Sequence, residues 1–132
     1  MSLKKKIIII SVAVILIITV SILANIYRVK SIGEVTGNNI NSVSKIELYE
    51  DSKITKVITD NQEIKKLVDR IATTKVKKRL DQPSLIRFSN FINLYSGNKT
   101  VCRINIPNYS GYLDIGYTEY KLISNELPIN NF

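Results

Sequence analysis

The sequence predicts an α+β chain: one N-terminal transmembrane helix, then a ββαββββ domain in which a mainly antiparallel sheet carries one helix on a face. Three observations predict it. An apolar run without charge extends from Ile7 to Ala24, a single helical stripe follows Asn61, and β-rich runs separated by turn sequences lie on both sides of that stripe. Of the 132 residues, the part beyond the apolar segment and a linker is one domain of roughly 85 to 90 residues, near the lower end of independently folding size.

Residues Ile7 to Ala24 are interrupted only by Ser11, Thr19 and Ser21. As a helix they measure about 27 Å, and Asn25, Ile26 and Tyr27 complete a bilayer span at the interface. Tyr27 followed by Arg28 has the form of an interfacial anchor, an aromatic ring beside a snorkelling cation. A cleaved signal peptide is the rival reading. The apolar run is longer than a usual signal core of about 7–15 residues, and Ile22 stands where cleavage wants a small residue, so an uncleaved anchor is preferred. Lys4, Lys5 and Lys6 precede the span against Arg28 and Lys30 after it, which places the N terminus inside the cell and the domain outside.

Arg28 to Ser44 is rich in Ser, Gly, Thr and Asn without a sustained period and reads as a flexible spacer. The chain thus divides into an anchor or signal peptide (1–27), a flexible linker (28–44) and an extracytoplasmic α+β domain (45–132). Within the domain, Ile46 and Leu48 alternate with Lys45, Glu47 and Tyr49, Glu50-Asp51-Ser52 makes a turn, and Lys53 to Ile58 completes a hairpin. Asp60 and Glu63 have capping-box spacing, and Ile64, Leu67, Val68, Ile71 and Ala72 share one helix face. Lys75 to Arg87 is basic and irregular, with Pro83 against any helix there. Four strands then follow, Phe88 to Tyr95, Thr100 to Ile106, Tyr112 to Ile115 and Tyr117 to Ile123, with turns at Ser96-Gly97-Asn98-Lys99 and Pro107-Asn108-Tyr109-Ser110-Gly111.

Composition excludes several chemistries. With no histidine there is no Ser-His-Asp or Cys-His catalysis and no His-containing metal site. Cys102 is the only cysteine, so no internal disulfide forms, and it alternates with Ile104 and Ile106 as a core residue would. No cofactor or metal is expected. Taking Lys4, Lys5 and Lys6 from the 19 basic residues leaves 16 against 11 acidic ones, a net of +5 for the remainder. Such a domain is drawn to anionic lipid or wall polymer, and nucleic acid is not expected outside a membrane. The Ile-, Lys- and Asn-rich composition suggests a low-GC Gram-positive bacterium.

Three short sequences, Thr59-Asp60-Asn61-Gln62-Glu63-Ile64, Asp81-Gln82-Pro83-Ser84 and Pro107-Asn108-Tyr109-Ser110-Gly111-Tyr112, make residues 45–127 resemble a family of unknown function. Its members are small extracytoplasmic domains of Gram-positive bacteria behind a membrane anchor or lipoprotein signal. The resemblance implies the location and fold and brings no catalytic residues. Pro128, soon after Leu127, stands against a terminal helix.

Lys75, Lys77, Lys78 and Arg79 form a candidate anion- or partner-contact run, although cations after a helix also complement its dipole, and that plainer reading is preferred. Tyr109, Tyr112, Tyr117 and Tyr120 form a candidate partner surface, against the ordinary use of tyrosine in strands. Glu50, Asp51, Asp114 and Glu119 are the carboxylates near turns or strand ends, better read as turn and surface residues than as an acid–base pair. The expectation is a non-catalytic interaction module contacting an envelope protein or anionic wall polymer; an immunity or inhibitor protein at the outer membrane face is the alternative.

Overall fold

The structure, a computed structural model, describes residues 1–80, 88–107 and 111–123, with Asn38 as backbone only. Helix α1 (Leu3–Ile26) is capped by Ser2, whose hydroxyl accepts from Lys5 N, and buries none of its residues. From Ile7 to Ala24 it is uncharged on every side, and by length and composition it can cross a membrane. The hydroxyls of Thr19 and Ser21 donate to the carbonyls of Ile15 and Ile17, so in an apolar medium neither would lack a partner.

Residues 28–44 are not a spacer. Strand β1 (Lys30–Ser31) pairs with β4 (Lys75–Lys78), α2 (Ile32–Thr36) follows at once, and a 3-10 turn occupies Asn38–Ser42. The cause is a capping box: Ser31 Oγ accepts from Glu34 N at 3.2 Å while the Glu34 carboxylate accepts from Ser31 N. Ile32 and Ile40 bury their side chains in the core. Gly33 lets α2 lie against the end of α3 (Asn61–Thr73), since a Cβ there would stand 3.2 Å from the Ala72 carbonyl oxygen.

The predicted hairpin forms as β2 (Lys45–Glu50) and β3 (Lys53–Ile58), and α3 begins where expected, with Asp60 Oδ2 accepting from Glu63 N at 3.0 Å. Ile64, Leu67, Val68 and Ile71 are buried along one face of α3, while Lys65, Lys66, Asp69 and Arg70 stay exposed. The segment after it departs from expectation. Lys75–Lys78, read as part of an irregular basic loop, is a strand that buries Val76 and pairs with both β1 and the last strand, Thr118–Leu122. The rest of that segment, 81–87, lies outside the described residues, as do the turn residues 108–110 and the region of Pro128. Strands β5 (Asn90–Ser96), β6 (Lys99–Ile106), β7 (Tyr112–Ile115) and β8 (Thr118–Leu122) follow, within two residues of the expected limits.

All pairings are antiparallel, in the order β1-β4-β8-β7-β6-β5-β2-β3. One face of this sheet carries Ile46, Ile58, Val76, Ile92, Leu94, Cys102, Ile104, Leu113, Ile115 and Leu122, which with the buried residues of α2 and α3 form a single core. The other face has no helix over it among the described residues.

Ile32→Ala and Leu67→Ala each empty a site of 0 % exposure and are each expected to cost about 2–5 kcal/mol. Urea unfolding of the detergent-solubilised chain, followed by circular dichroism, measures the loss. For Ile32, a loss under about 0.5 kcal/mol would return residues 28–44 to the role of a spacer.

Candidate functional site

Alternation places Lys45, Glu47 and Tyr49 of β2 on the uncovered face, opposite Tyr95, Asn93 and Phe91 of β5, with Arg103 and Asn105 of β6 beyond them. The rings of Tyr49 and Phe91 stack at 4.3 Å, and the Arg103 guanidinium lies over Phe91 at 4.4 Å. Arg103 Nε donates to Asn93 Oδ1 at 2.8 Å, and Asn93 Nδ2 donates to the Tyr95 hydroxyl at 3.1 Å. Lys45 stands over the Tyr95 ring and pairs with Glu47 at 3.3 Å. These contacts bury Asn93 to 2 % exposure on a face with no second layer among the described residues, because long side chains from neighbouring strands roof it.

The Tyr49 hydroxyl donates to Glu47 Oε2 at 2.9 Å. That bond holds the Glu47 carboxyl below its ordinary value and pushes the Tyr49 phenol up to about 12.

A second cluster lies on β4, β6, β7 and β8. Register sets Asp114 opposite Glu119 and beside Asn105. Both carboxylates are buried and both are engaged: Asn105 Nδ2 donates to Asp114 Oδ1 at 3.0 Å, and Arg79 Nη1 meets Glu119 Oε1 at 2.7 Å. The Arg79 guanidinium also covers the Tyr112 ring at 4.7 Å. Cross-strand like charges are tolerated here because each has its own donor.

The four basic residues of 75–79 therefore part company. Arg79 is bound to Glu119, Lys78 turns toward the Tyr27 ring at 5.9 Å, and Lys75 and Lys77 point outward from the uncovered face. The tyrosines are likewise divided. Tyr112 joins the uncovered face, Tyr120 packs against the core, Tyr117 is exposed at the β7–β8 turn, and Tyr109 lies outside the described residues. Glu50 and Asp51 sit at the exposed β2–β3 turn, away from Asp114 and Glu119.

A groove of about 580 Å³ opens where β7 stops short, since β7 pairs only with Ile104 and Asn105 of β6. Phe88, Val101, Arg103 and Tyr117 contribute to its walls, with Cys102 at its base. Burial pushes the Cys102 thiol up to about 11, so it is a poor nucleophile at neutral pH. The stacked Tyr49, Phe91 and Arg103 cluster escaped sequence reading because its members are distant in sequence and meet only through strand register.

Ultraviolet titration should show one tyrosine ionising near pH 12, and Glu47→Gln should bring that transition back toward 10. The Tyr49 bond contributes stability that is fully present below the ordinary phenol pKa and lost as pH rises through the folded value. Arg79→Gln removes a guanidinium from Glu119, 4 % exposed, and should cost about 3 kcal/mol, the low end for breaking a buried pair because Arg79 keeps 24 % exposure. Lys77→Gln should change stability by less than about 0.5 kcal/mol, and denaturant titration separates the two. Compared with protein-family models, curated proteins and solved structures, the chain matches none, so the geometry of this face alone carries its interpretation.

Proposed function

We propose that the chain is a non-catalytic interaction module held in the cell membrane by α1, N terminus in the cytoplasm, with its domain outside to contact an envelope protein or anionic wall polymer. The observation that carries this reading is the uncovered sheet face. An ordinary solvated face has mobile, independent side chains; here Tyr49, Phe91 and Arg103 are stacked and Asn93 locks the guanidinium in place. Rings and an arginine held rigid before contact lose little entropy on binding, which is the character of residues that dominate interfaces. Lys4, Lys5 and Lys6, in the first turn of α1 ahead of its apolar run, support the orientation.

A photo-crosslinking residue at Arg103, exposed on this face, should give a discrete adduct in intact cells. The same residue at Lys66, on the outward side of α3, should give none. Adducts of equal yield from both positions, or none from Arg103 together with hydrolytic activity of the purified chain, would overturn the reading.

A further inference from the structure

Helix α1 ends at Ile26 and β1 begins at Lys30, so only Tyr27, Arg28 and Val29 join them. Three residues reach at most about 11 Å, so the domain must lie against whatever surface α1 enters.

Strand register identifies the part of the domain nearest that surface. Lys30 pairs with Val76 and Ser31 with Lys75, so the chain before Lys30 runs along β4 toward Lys78, where the Tyr27 ring is found. Lys78 pairs with Tyr120, and from there β8 runs back in the same direction to the hairpin tip at Tyr117, on the order of 10 Å further along. Arg79 N donates to the Glu119 carbonyl at 3.0 Å, which keeps Leu80 beside that hairpin. Among the described residues that follow α1, the two most exposed large apolar side chains are Tyr117 at 88 % and Leu80 at 75 %. Both stand at the end of the sheet from which the anchor leaves.

The local backbone adds to this. Ile115 pairs with Thr118 across a two-residue turn in which Gly116 and Tyr117 have φ of 59° and 64°. The second position usually takes Gly or Asn, and an aromatic side chain is held there in a left-handed conformation, fully outward. Four residues back along β8, on the order of 13 Å from Tyr117, exposed Lys77 and Lys121 face each other across β4 and β8, a repulsive pairing with no carboxylate partner among the described residues. An anionic surface within a Debye length of about 8–10 Å would relieve it.

We propose that this end of the domain is a second membrane contact: Tyr117 and Leu80 enter the interfacial layer of the bilayer that holds α1, and Lys77 and Lys121 meet its anionic headgroups. Tyrosine suits that layer because its ring is apolar and its hydroxyl stays wet, and basic residues beside it add attraction to anionic lipid. The proposal rests on α1 being inserted in a membrane, which the experiment checks separately.

The sequence has no tryptophan, so Tyr117→Trp in the full chain is a unique fluorophore. The chain is reconstituted into phosphatidylcholine vesicles with and without phosphatidylglycerol, with either ordinary or brominated acyl chains. Trp at position 117 should emit at shorter wavelength than in detergent-free buffer and lose intensity to brominated lipid. A Glu50→Trp probe, at the opposite end of the sheet, should not be quenched. Leu80→Trp repeats the measurement should Tyr117→Trp unfold the hairpin. Lys77→Gln with Lys121→Gln should reduce quenching in phosphatidylglycerol vesicles only. A chain that floats with vesicles while position 117 or 80 stays unquenched, or is quenched no more than position 50, overturns the contact; quenching indifferent to the lysines overturns their headgroup role. A chain that does not float overturns the inserted anchor itself.

Discussion

Two residue pairs between β1 and β4 determine how the rest of the molecule is placed. Lys30 and Ser31 join the ladder beside Val76 and Lys75, and because Ser31 is also the cap of α2, the chain turns from strand to helix without an intervening loop. Ile32 is thereby delivered to the core at 0 % exposure, and Gly33 allows the helix to settle on Ala72. The connection from α1 to the domain is shortened to three residues by the same pairing. A two-residue strand has little stability of its own; its hold comes from the large apolar side chain buried next to it.

The sheet solves a different problem on each face. On the core side, aliphatic side chains from seven strands meet α3 and α2, and the hydrophobic effect is sufficient. On the other side there is no second layer among the described residues, yet Asn93, Asp114 and Glu119 are buried. Charged and aromatic side chains supply the cover, and each buried polar group has a partner within 3.0 Å. The Arg79–Glu119 pair differs in kind from the Arg28–Glu34 pair, although their lengths are 2.7 and 2.8 Å. The latter has both side chains nearly half exposed, so solvent screens it and it adds little to stability, whereas removing one partner of a buried pair leaves the other charge poorly compensated.

What could be read from the sequence follows the length of each pattern. The uncharged run of α1, the stripe of α3 and the alternation in β2 are long enough to show a period, and their positions agree with the fold. Residues 28–44 hold elements of two to five residues, too short for any period, so polarity dominated and the segment looked like a spacer. Ser31 and Glu34 nonetheless stand in capping-box spacing, and that signal was available. In β4 a single inward residue, Val76, is flanked by lysines, so the alternation was hidden beneath the charge. The stacked surface was not legible at all, since Tyr49, Phe91 and Arg103 are neighbours only after two registers, β2 on β5 and β5 on β6, are fixed.

Those registers also bear on how the two proposed surfaces act together. If the Tyr117 end rests on the bilayer, β4, β8 and β7 run away from the membrane rather than along it, because Tyr117, Lys78 and Tyr27 mark one end of the same strands. The uncovered face then stands upright, its rings directed sideways over the membrane instead of into it. A domain tethered by a long flexible spacer would present this face in every orientation and lose entropy on meeting a partner. A domain held by three residues at one point and by Leu80 and Tyr117 at another has most of that freedom removed beforehand, so its affinity for a partner in the same envelope depends more on the quality of the stacked cluster. The aliphatic side chains at the far edge of the sheet, Ile54 and Val57, are flanked by Lys53 and Lys56, which oppose strand-to-strand association at the edge that β3 leaves open.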